Sequence, residues 1–212
     1  MQPIEISVIN YKGGSAKTTL SINLAGYFAV QHKSKVLVVD LDPQQGSTML
    51  ATKAANKGNP LPFDVLKDNK KKADYDFVIY DHPPTNQIRN LSPFVLVPTI
   101  LDANSFAPTL KTISDLRQTE SEYMLVPFRV EQNKDQQMLL KDLTEKAESQ
   151  DKKQPSVKQR AVYQRAANLS VSVYQTVKGE LTKSDTWYAR KEISAVADAL
   201  GEMIKRKLTS KR

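Results

Sequence analysis

The sequence contains no cysteine among its 212 residues. Disulfides, thiolate zinc sites, iron–sulfur clusters and cysteine nucleophiles are therefore excluded. Glycine is also scarce, with 7 residues, and two of them stand together as Gly13 and Gly14. No apolar run approaches the ~20 residues that a membrane span requires, and the first residues lack the regions of a secretory signal. These features predict a cytoplasmic protein.

The net charge of +8 is concentrated in the C-terminal part of the chain. Residues 1–150 carry 17 basic and 17 acidic side chains, whereas residues 151–212 carry 14 basic and 6 acidic ones. This asymmetry favours a surface for a polyanion, although a solvated basic helix without a partner would have the same composition. The candidate phosphate contacts are Arg160, Arg165, Lys178, Lys183, Arg190, Lys191, Lys205, Arg206 and Lys207.

Short apolar runs alternate with helical periodicity along the chain. The runs predict strands over Pro3–Asn10, Lys35–Asp40, Asp76–Asp81, Pro93–Pro98 and Tyr123–Val126. Three- and four-residue spacings predict helices over Lys17–Gln31, Ser47–Asn56, Ala107–Arg117, Lys134–Ala147 and Ser184–Leu208. Polar segments predict exposed loops over Lys67–Lys72 and Glu148–Ser156. The alternation predicts an α/β fold, a mostly parallel twisted sheet with helices on both faces, in a single domain over residues 1–212 whose basic portion is 151–212.

A glycine-containing loop, N-Y-K-G-G-S-A-K-T-T, lies between the first predicted strand and the first predicted helix. Such a loop directs backbone N–H groups at phosphate oxygens, and the helix N-terminus adds positive potential. Lys17 would then contact the terminal phosphates, and the Thr18 hydroxyl would ligate magnesium. The strict pattern G-x-x-x-x-G-K-[ST] is not met, because Tyr11 and Ala16 occupy its glycine positions. The loop matches the deviant pattern K-G-G-x-x-K-[ST], which begins at Lys12.

Two further motifs follow the loop: V-V-D-L-D-P-Q (Val38–Gln44) and V-I-Y-D-H-P-P (Val78–Pro84). With the loop, they resemble the ParA/MinD group of Walker-type ATPases, and most closely the short ParA partition ATPases that lack an N-terminal DNA-binding extension. Each motif stands at the C-terminal end of an apolar strand, where α/β sheets bind ligands. The resemblance is specific over Ile4–Pro84 and thin after Leu116, apart from the segment Arg160–Ala167. It implies a P-loop fold that binds ATP and Mg²⁺ and hydrolyses ATP slowly by direct attack of water.

The resemblance also implies roles for individual residues. Asp42 would orient the attacking water, and Lys12 would reach across an ATP-bound dimer to the partner's nucleotide, as an arginine finger does. The implied catalytic residues are Lys12, Lys17 and Asp42, and the implied metal-site residues are Thr18, Asp40 and Asp81. The implied ATP-binding residues are Lys12, Gly13, Gly14, Ser15, Ala16, Lys17, Thr18, Thr19 and Arg129. A strand-end cap for Asp81 and a solvated acidic turn for Asp40 and Asp42 are the alternatives.

The chain departs from the family pattern at several positions. Ala16 stands where glycine is common, and a methyl group is tolerated there if φ is negative. Phe128 replaces an asparagine that often touches adenine in relatives, while Arg129 keeps the neighbouring position. We expect a structural or incidental role for His82 and not a catalytic one, and we expect His32 to be a surface residue favoured by the dipole of the first helix.

The function implied by the resemblance is DNA segregation. An ATP-bound homodimer would bind non-specific DNA on the nucleoid, and a small centromere-binding adaptor (ParB- or ParG-like) would stimulate hydrolysis, with a plasmid or chromosome as cargo. A MinD-like membrane-associated positioning ATPase is the main alternative. It would need an amphipathic C-terminal helix, and the final turns offer only Ile204 and Leu208. A metabolic ligase or reductase using the same loop is a third class.

Overall fold

A parallel β-sheet forms the centre of the molecule. The computed structural model describes residues 2–70, 72–85, 87–131, 133–146 and 154–209. Within them the strands are β1 (Ile4–Val8), β2 (Val36–Asp40), β3 (Asp64–Leu66), β4 (Phe77–Asp81), β5 (Phe94–Ile100), β6 (Glu122–Val130) and β7 (Val157–Lys158). Their order in this 7-stranded sheet is β3-β2-β4-β1-β5-β6-β7, and every neighbouring pair is parallel.

Helices cover both faces of the sheet. They are α1 (Lys17–Gln31), α2 (Gly46–Asn56), α3 (Ala103–Leu116), α4 (Lys134–Lys146), α5 (Ala161–Leu169) and α6 (Lys183–Thr209). Helices α1 and α6 share one core with the sheet, and α3 and α4 share another on the opposite face. The predicted α/β class is therefore confirmed. Among the described residues, no helix is both long enough and apolar enough to cross a bilayer.

The main core joins the two ends of the chain. Leu20 and Leu24 of α1 and Ile193 and Leu200 of α6 are fully buried in one cluster. Burying one such side chain stabilises a fold by ~1.5–3 kcal/mol. Gly26 of α1 permits a close approach here, because an added Cβ would overlap the side chain of Ser172. The described part of the basic C-terminal portion is thus packed onto the first helix and the sheet.

The structure confirms every predicted strand and helix, with shifted ends. It also contains elements that the sequence patterns did not predict: β3, β7 and α5. Strands of three and two residues are too short to show periodicity. Of the predicted loops, Lys67–Lys72 is irregular apart from Lys72, which opens a short 3₁₀ helix; Lys71 lies outside the described residues, as do Ala147 and 148–153 of the predicted helix and loop.

Candidate functional site at the carboxyl edge of the sheet

The three sequence motifs meet at one edge of the sheet. Strands β2, β4 and β1 are neighbours, and the register pairs Asp81 with Asp40 on one side and with Val8 on the other. The loops that follow these strands therefore begin side by side. This is the edge at which parallel α/β sheets bind ligands.

Asn10 organises the glycine-containing loop. It is fully buried, and its Nδ2 donates to the carbonyl of Pro98 (2.9 Å) and to Thr109 Oγ1 (3.0 Å). Its Oδ1 accepts the backbone N–H of Lys12 at 2.9 Å. The hydroxyl of Tyr11 donates to Asp115 Oδ2 of α3 at 2.7 Å. The sequence motif gave no role to Asn10. Its polar side chain at the end of the first apolar run was the one feature that could have indicated its importance.

Lys17 lies folded inside this loop. Its Nζ donates to the carbonyls of Asn10 (3.2 Å) and Lys12 (3.1 Å), and the residue is 6% exposed. Burial lowers the pKa of this ammonium, and the charges of Asp81 and Asp42 oppose that shift. The buried hydroxyl of Ser15 makes no hydrogen bond among the described residues. A buried cation and an unpartnered hydroxyl beside a helix N-terminus suit the oxygens of a phosphate group.

Ala16 has φ 71°, in the left-handed region, as the N-cap of α1. The condition of a negative φ, under which a methyl group would be tolerated here, is therefore not met. The left-handed region costs a non-glycine residue roughly 1–2 kcal/mol. Gly14, two residues earlier, also has a positive φ (75°), which glycine adopts without this cost.

Asp81 lies at the bottom of the site and is 1% exposed. Its Oδ2 accepts hydrogen bonds from Thr18 Oγ1 (2.8 Å) and Ser47 Oγ (2.7 Å). Its buried Oδ1 has no hydrogen-bond partner in the described part of the chain. Burial raises the pKa of Asp81 to about 6, with Asp40 adding to the rise and the hydroxyls and Lys17 opposing it. Ser47 was not predicted; its only signal was its position just after the Asp42 motif.

An unpartnered carboxylate oxygen beside a threonine hydroxyl fits a hard divalent cation. The described residues hold no cluster of three or more acidic, histidine or cysteine ligands. A cation bound here would therefore need phosphate oxygens and water to complete its coordination, which is how Mg²⁺ is commonly held beside nucleotides.

Asp40 and Asp42 have different surroundings. Asp40 is buried, and its Oδ2 accepts from the backbone N–H (2.7 Å) and the hydroxyl (2.8 Å) of Thr48, so that it caps α2. Asp42 is half-buried and lines a cavity beside the glycine-containing loop, and its Oδ1 accepts the N–H of Gln44 at 2.9 Å. The predicted pair thus divides into a supporting carboxylate and one that faces the cavity.

Three other predicted residues lie around this centre. Lys12 is half-buried within the loop, and no ion pair holds its ammonium among the described residues. His82 is buried and contacts Ser7 Oγ at 3.1 Å, and burial lowers its pKa to about 4. His32 is exposed at the end of α1, where its Nε2 lies 3.0 Å from the Tyr27 hydroxyl.

Two adjoining cavities continue from the loop. The phosphate-side cavity has a volume of about 470 Å³ and is lined by residues 13–19 together with Asp42, Gln44, Pro84 and Arg129. The smaller cavity, of about 120 Å³, shares Ala16, Thr19 and Arg129 with it. A register shift in the β6–β7 pairing between Phe128 and Val130 places Arg129 on both cavities, while Phe128 is buried. Bulges commonly redirect side chains in this way next to binding sites.

The predicted DNA-contacting residues do not form one surface. Lys207 donates to the carbonyls of Pro93 and Glu120, at the amino edge of the sheet, so Lys205, Arg206 and Lys207 lie away from the site. Arg160 follows β7 at the carboxyl edge and pairs with Glu192, while Arg165 pairs with Asp185. The Arg190 guanidinium donates to the carbonyls of Val173 (2.7 Å) and Gln175 (3.4 Å). Lys178, Lys183 and Lys191 are exposed.

The part of the chain that contains the glycine-containing loop matches a known family model. Residues 4–71 match the AAA_31 family model, described as an AAA domain. The chain is 28% identical over 198 residues to the maintenance of carboxysome distribution protein A of Halothiobacillus neapolitanus, covering 80% of this chain and 86% of that protein. It is 36% identical over 90 residues to the protein of the same name from Gloeobacter kilaueensis, covering 39% of each. It is 33% identical over 126 residues to the chromosome-partitioning ATPase Soj of Thermus thermophilus, covering 43% of this chain and 48% of Soj.

Solved structures share the whole fold at lower identity. A putative plasmid partition protein of Borrelia burgdorferi bound to AMPPNP has a TM-score of 0.68 and 16% identity, covering 97% of this chain and 99% of that one. The MinD cell division protein of Aquifex aeolicus has a TM-score of 0.61 and 15% identity, covering 80% and 88%. These two structures show the fold alone. The family match and the sequence relatives confirm the resemblance to the ParA/MinD group of Walker-type ATPases that the three motifs predict.

Proposed function

We propose that the chain binds Mg-ATP at the carboxyl edge of its sheet and hydrolyses it. The observation that carries this proposal is the unpartnered buried Oδ1 of Asp81, next to the Thr18 hydroxyl and the loop that holds Lys17. A bound Mg²⁺ would neutralise charge on the terminal phosphates. Lys17 would exchange its backbone carbonyl partners for phosphate oxygens, and Ser15 and the backbone N–H groups of residues 13–19 would complete the phosphate site.

Asp42 would orient the attacking water. Its place on the phosphate-side cavity supports this role, because it faces the space where the terminal phosphate would lie. Phosphoryl transfer needs positioning of the water and stabilisation of charge more than covalent chemistry. Asp40 would support this geometry by holding the start of α2.

Lys12 would complete the site of a second copy of the chain in an ATP-bound homodimer. Lys12 is half-buried and has no ion pair among the described residues, and the buried Lys17 already supplies a cation to the same loop, which supports this arrangement. A cation from the partner would stabilise developing negative charge, as an arginine finger does. We further propose that residues 1–212 form a single domain.

We infer that the ATP-bound dimer binds DNA without sequence preference and is nucleoid-associated. The excess positive charge of residues 151–212 supports this inference, and the exposed Lys178, Lys183 and Lys191 are the best-placed contacts. An adaptor protein would stimulate hydrolysis and release. The cargo would be a plasmid or chromosome: the name of Soj states chromosome partitioning, and the description of the Borrelia burgdorferi protein states plasmid partition. The carboxysome-distribution relative, which matches most of the chain, favours a protein compartment as the second candidate cargo.

Variants at Lys17 and Asp42 test the ATPase proposal. We expect Lys17→Ala to lose ATP binding, because it removes the cation of the loop. We expect Asp42→Ala to bind ATP but to lose turnover, because it removes a water-orienting group. Calorimetry and phosphate release would measure both, with Asp68→Ala as a control at an exposed acidic residue that lines neither of the two cavities. Normal hydrolysis by Asp42→Ala would contradict the assignment.

Co-sedimentation separates the DNA proposal from a MinD-like membrane role. Ile204 packs against the core, whereas Leu208 is 61% exposed, so the described end of α6 offers little apolar surface to a bilayer. We expect ATP-dependent sedimentation with duplex DNA and none with anionic vesicles. The reverse result would favour the membrane role.

A further inference from the structure

The smaller cavity lies beside the glycine-containing loop, where the base of a bound nucleotide would fit. It adjoins the phosphate-side cavity through Ala16, Thr19 and Arg129. Its far side is formed by the β7–α5 segment, from Lys158 to Ala167. A nucleotide with its phosphates in the loop would therefore place its base against this segment.

One carboxylate of α6 holds that wall in place. Glu192 Oε1 accepts a hydrogen bond from Arg160 Nε (2.8 Å) and lies 2.7 Å from Arg160 Nη2. Glu192 Oε2 accepts the N–H of Lys158 (3.3 Å) and the hydroxyl of Tyr163 (3.2 Å). The Glu192 side chain is 12% exposed, so these bonds are shielded from water. Charge-assisted bonds of this kind are among the strongest that a side chain makes.

The same wall touches an exposed aromatic face of α6. The Arg160 guanidinium lies 4.9 Å from the ring centroid of Tyr188, and the Tyr188 ring lies 4.6 Å from that of Trp187. Lys191 Nζ lies 3.7 Å over Trp187, which is 48% exposed. Contacts therefore run without a break from the cavity to the α6 face formed by Trp187, Tyr188 and Lys191.

We propose that Glu192 is a positioning residue for the nucleotide base: it holds the base-side wall of the smaller cavity and links occupancy of that cavity to the Trp187–Tyr188–Lys191 face. The inference rests on the proposed ATP binding. It adds a route by which the base, and not only the terminal phosphate, alters a surface that carries one of the candidate DNA contacts.

Glu192→Gln tests the positioning role when ATP is compared with inorganic tripolyphosphate. Glutamine keeps the shape of the side chain, but it loses the charge-assisted bond to Arg160 and one of the two acceptor oxygens. We expect ATP to bind about 10-fold more weakly to the variant. Tripolyphosphate has no base. We expect the variant to bind it with an affinity within about twofold of the parent's, because the glycine-containing loop is unchanged. Glu202→Gln is the matched control, since Glu202 lies on the same helix and forms an exposed ion pair with Lys205.

The outcomes of this comparison are distinct. Unchanged ATP affinity, or an equal loss for both ligands, would overturn the positioning role. A parent protein that binds neither ligand would overturn the proposed function and this inference with it.

The fluorescence of Trp187 tests the link to the surface in the unmodified protein. It is the only tryptophan of the chain, so the signal has one source. We expect ATP to change its emission and tripolyphosphate to leave it unchanged, because only the base would displace Arg160 against Tyr188. We expect the ATP-induced change to be lost in Glu192→Gln at saturating ATP. An equal response to both ligands, or no response to saturating ATP in the parent, would overturn the link.

Discussion

The Asp81 carboxyl is charged at neutral pH only at a cost in stability. Burial raises its pKa from 3.8 to about 6 in the folded chain without a cation. The folded state therefore binds more protons than the unfolded state between these values, and the stability that Asp81 contributes falls as the pH rises through this window and stays low above it. A bound cation would reverse this penalty.

The variant Asp81→Asn separates stability from chemistry. At pH 8, without nucleotide and magnesium, we expect the variant to unfold at a higher temperature than the parent. Its free energy of unfolding should be higher by about 1–3 kcal/mol. We expect no gain at pH 4, where the parent carboxyl is protonated in the folded state, and we expect Mg-dependent turnover to be lost. Thermal unfolding at both pH values measures this effect. A variant that is less stable than the parent at pH 8 would show that the raised pKa is wrong.

The backbone of Ala16, in the glycine-containing loop, is strained. Its φ of 71° suits glycine, and Ala16→Gly relieves the strain while adding flexibility to the unfolded chain. We expect a net gain of up to about 1 kcal/mol in the free energy of unfolding. The control Ala51→Gly, inside α2, should instead lose about 1 kcal/mol. Chemical denaturation compares the two, and equal losses would contradict the strain.

Helix α6 shows how far sequence reasoning reaches at the scale of an element. Its apolar spacing predicted the helix and its buried face, because Ile193, Val196 and Leu200 recur with the helical period. The pattern could not distinguish Arg190 from Lys191, since a basic residue has the same charge in either place. Only the tertiary contacts show that Arg190 holds the carbonyls of Val173 and Gln175 while Lys191 faces solvent over Trp187.

The same limit applies to the site. The loop, Asp42 and Asp81 could be placed from sequence because each motif ends a strongly apolar strand. Ser47, Glu192 and the smaller cavity could not be, because they depend on which elements pack together. The strands β3 and β7 escaped prediction because sheet pairing, and not their own pattern, defines them.

Paired variants of α6 test this division of the basic residues. We expect Arg190→Ala to lower the unfolding temperature, because it removes the donor from the carbonyl of the buried Val173. We expect Lys183→Ala with Lys191→Ala to leave stability and basal ATP hydrolysis unchanged but to weaken DNA binding. The double variant removes four lysines from the dimer, so the slope of log affinity against log salt should become shallower by about 3 to 4. Fluorescence anisotropy with unrelated duplexes measures this slope, and an unchanged slope would remove these lysines from the DNA surface.

At the scale of the whole molecule, the proposed dimer connects nucleotide to DNA. A monomer that presents a few cations binds DNA weakly, whereas two such surfaces in one ATP-bound dimer bind bivalently, which can raise avidity ~100-fold. We therefore expect Lys12→Ala to bind ATP as the parent does but to dimerise poorly, and to lose this DNA avidity although every C-terminal cation remains.

If the dimer covers ~6 phosphates, parent affinity should fall with salt at a slope of about −5, and Lys12→Ala should show about half of that slope. Light scattering with ATP and Mg²⁺ followed by anisotropy across a salt series measures both quantities, with Asp42→Ala as the dimer that does not turn over. If Lys12→Ala dimerises and binds DNA as the parent does, or if ADP supports the same affinity as ATP, then dimerisation is not what connects the phosphate loop to DNA.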